Sequence, residues 1–429
     1  MPDPQPLVAQ PLVAQPFVAQ PFVAQALVAR LLPHLSRDRV RGLLQALVRV
    51  PSPVTPLLEA EPQLRAFIDG AVVPRLEAIG GFAVRRDAMG NLIAEAGTGR
   101  SGRSLMLVGH AMNQPAATMP DPYGGTIIDG TPHGIPGECV LGKGASEQKG
   151  TLAAMLHAME AVVAAGLPLE GRLVFLCLVS GESGRPDAIR NVVEGEGVRA
   201  EMAVVYGNHL ELQLGNRGRV DLRAVVEGTP SHSSRPRLGA NAVTGAMEAM
   251  RRLSAAFSSP AVHPDLGEAW LTCTGMESFP RTTHTIPDRV EIALDRRLLP
   301  GEDPVAVAAG IRAVLAGMEG MVDPVSGKPL RVTLEEGACM HPSLIAREAP
   351  VVRLLEAACR AMLGEAPRAF YGQSAHDQGY LNHAGIPTVN FGCGEQAFAH
   401  TDLDLCSVDR AFDAARVFAA MVAAQVGPA

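Results

Sequence analysis

The sequence predicts an α/β protein: a main domain with a mixed sheet and helices on both faces, plus an inserted α+β unit of four strands and two helices. Three observations lead there. Strand-like and helix-like segments alternate from residue 34 to 217, and the alternation resumes from 339 to 429. Between 218 and 338 the order becomes strand–helix–strand–strand–helix–strand, the pattern of a small sheet with two helices on one face. A chain of 429 residues also exceeds what one hydrophobic core usually fills, so two domains are expected.

Residues 1–33 read as a leader outside both domains. From Pro6 to Arg30 a pentapeptide recurs, as PLVAQ twice, PFVAQ twice and finally ALVAR. Proline at every fifth position interrupts a helix and favours extended chain. One reading is a solvated leader made by repeat expansion. The other is an arm that packs on a neighbouring subunit, because Leu, Val and Phe are poorly placed in a solvated tail. No basic residue precedes Arg30, which argues against a secretory signal.

Apolar residues at helical spacing predict helices over 34–50 and 64–79, and apolar runs predict strands over 82–96 and 104–108. A helix follows over 150–165, then buried strands over 173–178 and 203–206. In the insert, VDLRAVVEG, AWLTCTGM, VEIALDRRL and LRVTLEE read as strands, with helices over 240–256 and 304–318. A helix over 349–363, the strand TVNFG and a helix over 408–426 complete the main domain.

The net charge of −7 offers no basic face, which speaks against nucleic acid as a partner. The longest apolar runs, such as LMLVG and LVFLCLV, have strand length and fall far short of a membrane span. Seven cysteines without a C-x-x-C pair suggest neither a disulfide framework nor a cysteine zinc site, and a reducing cytoplasm is the expected compartment.

Ligands of α/β domains gather at the carboxyl ends of strands, and the chemistry-bearing residues fall there. LMLVGHAM places His110 at a strand end, SGESG supplies Glu182 just past another, and His209 follows a third. The glycine-rich turn LGKGASEQKG offers Glu147 ahead of a helix, and FGCGEQAFAHTDLD offers His400. Imidazoles with carboxylates suit zinc, manganese or cobalt, with positions left open for water.

In this order the motifs resemble the acetylornithine deacetylase, succinyl-diaminopimelate desuccinylase and carboxypeptidase G family of metallohydrolases. DPYGGTIIDG, GTPSHSSRPRLGANAV and AGIPTVNFGCG add to the resemblance, which runs from about residue 35 to the end. It implies a metallopeptidase-like catalytic domain, an inserted dimerisation or lid domain, and one or two divalent metals per chain, Mn2+ or Zn2+. By position, His110 would bind one metal and His400 the other, Glu182 would share the second, and Glu147 would bridge. His232 would reach the site of the neighbouring subunit and steady a developing negative charge. Arg297, two residues after Asp295, would grip a substrate carboxylate, with Arg289 and Arg296 as other arginines toward the cleft. A homodimer through 218–338 is expected, and the N-terminal arm leaves a larger assembly open.

The chain also departs from the family pattern. The bridging acid, usually Asp, is Glu147, one methylene longer. Met112 stands where an acid would orient the first histidine. The general-base position is Gly181. The remaining ligand position falls at 207–209, where His209 is the choice and Asn208 the alternative. In the insert His284 replaces an asparagine and joins Glu147, Glu182 and His232 as a candidate catalytic residue. Losing a positioned base costs about 10²–10⁴-fold, so ordinary peptidase chemistry is not expected, and Glu182 or Glu147 would take over the proton.

The favoured expectation is hydrolysis of a C–N bond in a small carboxylated substrate. The specific form is attack of metal-bound hydroxide on an aromatic amine such as 5-nitroanthranilate with release of ammonia, the reaction of a divergent branch of this family. The alternatives are an amidohydrolase or deacylase of an N-acyl or N-carbamoyl amino acid, and a non-catalytic binding relative. His34, His133, His157, His263, His341 and His383 read as structural or surface groups, and His376 as either a support of the site or loop filler. Lys149 reads as a surface partner of acids, and Asp402 and Asp404 as helix caps or ligand supports.

Overall fold

The computed structural model describes residues 23–428, so most of the pentapeptide region, residues 1–22, lies outside the described residues. The last repeat starts with Ala26 instead of proline, and without that break it forms the helix Gln25–Leu31. Val23 and Leu31 are buried in the main core, and Arg30 donates to the carbonyls of Ala165 (3.1 Å) and Gly166 (3.3 Å). The expected leader thus runs too far: its last residues belong to the packed domain.

The main domain is built on a nine-stranded sheet. Its order is Ala83–Arg86, Leu92–Ala96, Arg172–Leu178, Ser104–His110, Ala203–Val205, Thr388–Asn390, Leu212–Asn216 and Ser343–Leu344, with Ala369–Gly372 also paired to Leu212–Asn216. The central strands from Arg172–Leu178 to Thr388–Asn390 run parallel, and antiparallel strands complete both sides, so the sheet is mixed. Ser104–His110 is buried along its whole length, as expected of a strand covered on both faces. The helices Gly150–Ala164 and Val408–Val426 pack on each other. Their apolar residues join Phe175, Phe391 and Phe418 in one continuous core.

Several boundaries differ from the sequence expectation for local reasons. The segment 82–96 is a hairpin, because Asp87 accepts from the backbone N–H groups of Gly90 (2.9 Å) and Asn91 (2.8 Å) and turns the chain. The helix expected over 64–79 carries a π-type turn at Ile68–Val72, just before Pro74, whose nitrogen has no hydrogen to donate. A three-stranded sheet, Thr126–Asp129, Glu138–Leu141 and Leu405–Ser407, was not anticipated. It holds the start of the glycine-rich turn against the segment that follows His400.

The insert has its own core. Its antiparallel sheet runs Leu271–Phe279, Arg289–Leu298, Gly218–Glu227, Arg331–Met340. Buried residues alternate along Arg289–Leu298, and that face carries the helices Ala242–Ala256 and Pro304–Ala316 through Ala246, Leu253, Ile311 and Leu315.

Candidate metal centre

The parallel strands deliver the site. His110 ends Ser104–His110 and lies in register with Leu178 on the neighbouring strand, so the turn 181–184 begins beside it. Gly144, in the left-handed region at φ 82°, leads into a π-type turn, Ala145–Lys149, that carries Glu147. Asp404 fixes that turn by accepting from the N–H groups of Gly144 (2.6 Å) and Ser146 (2.8 Å), so it supports the Glu147 turn. His400 itself has φ 65°, a conformation that costs energy for a non-glycine residue and is met most often at functional positions.

These elements converge. His400 Nε2 stands 2.5 Å from Glu147 Oε1 and 3.3 Å from Glu182 Oε2. Among the described residues, Glu147, Glu182 and His400 form a group whose donor atoms all lie within 4.8 Å of one another. His110 is fully buried and reaches the group through Glu182, with Nε2 3.8 Å from Oε1. Burial raises Glu147 to about 8, against the pull of His400, and the two carboxylates raise His400 to about 10. Burial also pushes Glu182 upward, but His400, His110 and Gln114 together hold it below its usual value. Burial pushes His110 down.

A divalent cation fits this donor set. Two carboxylates and an imidazole converge with a second imidazole beside them, and both ring nitrogens of His110, though buried, have no hydrogen-bond partner among the described residues. Buried polar atoms of that kind call for a ligand.

The remaining candidates lie elsewhere. His209 Nδ1 faces Arg410 (3.3 Å) and Glu395 Oε2 (3.4 Å), with its backbone at φ 58°. It is not one of the three clustered residues, and Asn208 pairs with Gly394 through a backbone bridge. His232, opposite Thr285 in a two-stranded ladder, and His284, just before that strand, are both exposed; Ser233 N–H donates to the His284 carbonyl at 2.9 Å, and neither histidine joins the cluster in the single chain. Arg297 is held by Asp295 at 2.9 Å, while Arg289 is held by Glu291 at 2.8 Å. Eight residues separate these two arginines on one strand, roughly 26 Å, so they cannot both grip one small carboxylate. Arg296 pairs with Glu302 at 2.6 Å.

At Gly181 the structure adds a steric reason for the missing acid. A Cβ there would lie 2.2 Å from His110 Nδ1 and 2.4 Å from its Cε1. Met112 is buried, and its carbonyl accepts from Gln148 Nε2 at 2.7 Å, so the backbone of this segment, not a carboxylate, lies beside the site. Lys149 is buried rather than exposed: Nζ donates to the Val50 carbonyl at 2.9 Å and sits over the rings of Phe67 and Tyr123. His157 is likewise packed, with Nε2 accepting from Ser36 N–H at 2.8 Å. His376 is half-buried, and burial pushes its pKa down to about 4, with Glu182 pulling it up and His110 pushing it further down.

Sequence reasoning missed several residues. Gln114 Nε2 donates to Glu182 Oε2 at 2.8 Å. Glu59 accepts from Ser180 (3.3 Å) and Ser183 (2.6 Å), the residues flanking the Glu182 turn. Tyr206 stands edge-on to His110 with ring centroids 4.3 Å apart. Gln114 was two residues past Met112 and open to inspection; the others carry no local signal.

A mixed sheet with imidazole and carboxylates at its carboxyl ends, interrupted by a second small sheet, defines a metallohydrolase class. The chain belongs to peptidase family M20/M25/M40, whose profile matches residues 112–424. It is 26% identical over 409 residues to a succinyl-diaminopimelate desuccinylase of Phenylobacterium zucineum, covering 89% of this chain and 97% of that one. It is 23% identical over 417 residues to an N-formyl-4-amino-5-aminomethyl-2-methylpyrimidine deformylase of Halalkalibacterium halodurans, covering 86% and 91%. Its fold is similar to that of an M20 family metallo-carboxypeptidase, Sso-CP2 of Sulfolobus solfataricus, with TM-score 0.72, 16% identity and 90% and 98% coverage. The chain is therefore an M20 family hydrolase of amide- or peptide-type bonds, and the family implies a divalent metal. No helix among the described residues is long and apolar enough to cross a membrane.

Proposed function

We propose that this chain is a metal-dependent hydrolase that cleaves a C–N bond in a small carboxylate-bearing molecule, with proton transfer handled inside the ligand cluster. The observation that carries this is the pair Gly181–His110: the imidazole fills the space a side chain at 181 would need, so no base acts from there. Glu147 is the better placed of the two carboxylates for that proton, because its side chain is 21% exposed against 7% for Glu182. A bound Mn2+ or Zn2+ supplies a Lewis acid and lowers the pKa of its water. His400, Glu147 and Glu182 would hold that ion, with His110 beside Glu182. Arg297 lies at the end of its strand that faces Arg219 and the Glu182 turn, and we assign it to the substrate carboxylate; Arg289 lies at the far end.

Two substrate classes follow. The site rebuilt at Gly181, Met112 and Glu147 favours deamination of an electron-poor aromatic amine such as 5-nitroanthranilate: water replaces the amino group, leaving a phenol and ammonia. The named relatives, a desuccinylase and a deformylase, favour deacylation, which yields a carboxylic acid and a free amine. A panel of N-acyl and N-carbamoyl amino acids and nitroaromatic amines, assayed for ammonia and for carboxylic acid with added Mn2+ or Zn2+, tests the proposal. Turnover of at least one class, lost in His400→Ala, is expected; no turnover of any C–N substrate by metal-loaded protein would sink it. We further propose a homodimer through 218–338, in which the exposed His232 faces the partner subunit; a monomer by light scattering would remove that role.

A further inference from the structure

We propose that Arg219 is a positioning residue for the metal centre, tying the insert's first strand, Gly218–Glu227, to the turn that carries Glu182. Its Nη2 donates to the Gly184 carbonyl at 2.9 Å. Asp221, two residues along the same strand, sets the guanidinium with contacts of 2.8 Å to Nε and 3.0 Å to Nη2. Gly184 is at φ 65°, and a Cβ there would lie 2.4 Å from Arg219 Nη2, so the glycine leaves the space that the guanidinium fills. Gly184 N–H points back to the Gly181 carbonyl at 3.4 Å, closing the turn around Glu182.

The register makes this anchor stiff. Arg219 lies opposite Arg297 and Asp221 opposite Asp295. Like charges face each other across the ladder, and each arginine is neutralised by the aspartate two residues along its own strand. The turn has two other supports, Glu59 on Ser180 and Ser183, and Gln114 on Glu182 itself. Both belong to the main domain. Arg219 belongs to the insert, so the placement of the insert is transmitted to a metal-binding carboxylate. This rests on the reading of Glu182 as a ligand.

Calorimetric titration of the full chain with Mn2+ and with Zn2+ tests it, alongside the thermal midpoint of metal-free protein. Arg219→Met is expected to weaken metal binding about 10- to 100-fold, the usual effect of removing a support behind a ligand. Arg219→Lys keeps the charge but cannot hold Asp221 and Gly184 together, so it should lie between Arg219→Met and wild type. Gly184→Ala should repeat the loss, and adding Arg219→Met to it should cost little more, because both break one contact. Arg223→Met, on the same strand but paired with Glu291 and Glu335, should bind metal as wild type does. Wild-type affinity in Arg219→Met at an unchanged midpoint overturns the proposal. If Arg219→Met has a lowered midpoint, wild-type affinity in Arg219→Lys overturns it instead. A wild-type protein that takes up neither metal overturns the metal-centre reading, and this proposal with it.

Discussion

Replacing Gly181 by alanine drives a methyl group into the His110 imidazole. The added carbon would lie 2.2 Å from Nδ1, 2.4 Å from Cε1 and 2.5 Å from Cγ, about 1 Å or more inside the separation at which such atoms attract. The ring has little room to retreat, since it is fully buried and Tyr206 stands edge-on 4.3 Å from its centroid. Overpacking a filled interior costs about 1–3 kcal/mol, so the variant should unfold at a lower urea concentration. Displacement of His110 also disturbs its 3.8 Å approach to Glu182, so metal affinity should fall with stability. Gly181→Glu, which restores the acid expected from the family resemblance, should then lose activity rather than acquire peptidase activity. Urea unfolding followed by circular dichroism, metal titration and turnover report the three effects. Wild-type midpoint and turnover in Gly181→Ala, or a gain of dipeptide cleavage in Gly181→Glu, would refute the steric account.

Other perturbations separate the supporting roles. Gln114→Ala removes the 2.8 Å donor to Glu182 and should weaken metal binding about 10-fold, read by calorimetry at unchanged fold. Arg297→Ala should raise KM for a carboxylated substrate about 10-fold or more, the size of one lost charge-assisted contact, while Arg289→Ala leaves KM unchanged; equal effects would contradict the assignment. Burial pushes the pKa of His157 below its ordinary 6.5, and Glu160 only partly offsets this. The unfolded chain then binds more protons in that window, so the contribution is intact above about pH 6.5 and is lost as pH falls through the lower folded value. Subtracting the stability–pH curve of His157→Phe from that of wild type should show this acid-side loss; a flat difference would contradict it.

What the sequence revealed follows from how local the signals are. The helix Val408–Val426 was legible to the residue because its cap, Ser407, and its apolar repeat are contiguous. His110, Glu182 and His400 were legible because each follows an apolar strand in a recognisable motif. The strands Thr126–Asp129 and Glu138–Leu141 have only four residues each, and the third member of their sheet, Leu405–Ser407, lies far along the chain. Gln114 and Glu59 support the Glu182 turn across 68 and 124 residues, and a single sequence carries no sign of such pairings. Lys149 was misread for a related reason. Charge argues for the surface, and only the fold shows the Val50 carbonyl and two aromatic rings that receive the ammonium inside. Arg297 was favoured over Arg289 only through the family resemblance, and the strand then places the two at opposite ends.

The central claim is that Glu147, Glu182 and His400 bind a divalent cation on which turnover depends. Its most direct test is the metal content per chain of the wild type and of His400→Ala, each measured after dialysis against Mn2+ or Zn2+. At least one ion per wild-type chain is expected, with loss of both ion and turnover in the variant. A wild type that retains no ion and is not activated by either metal, or a variant that keeps both ion and full turnover, would contradict it.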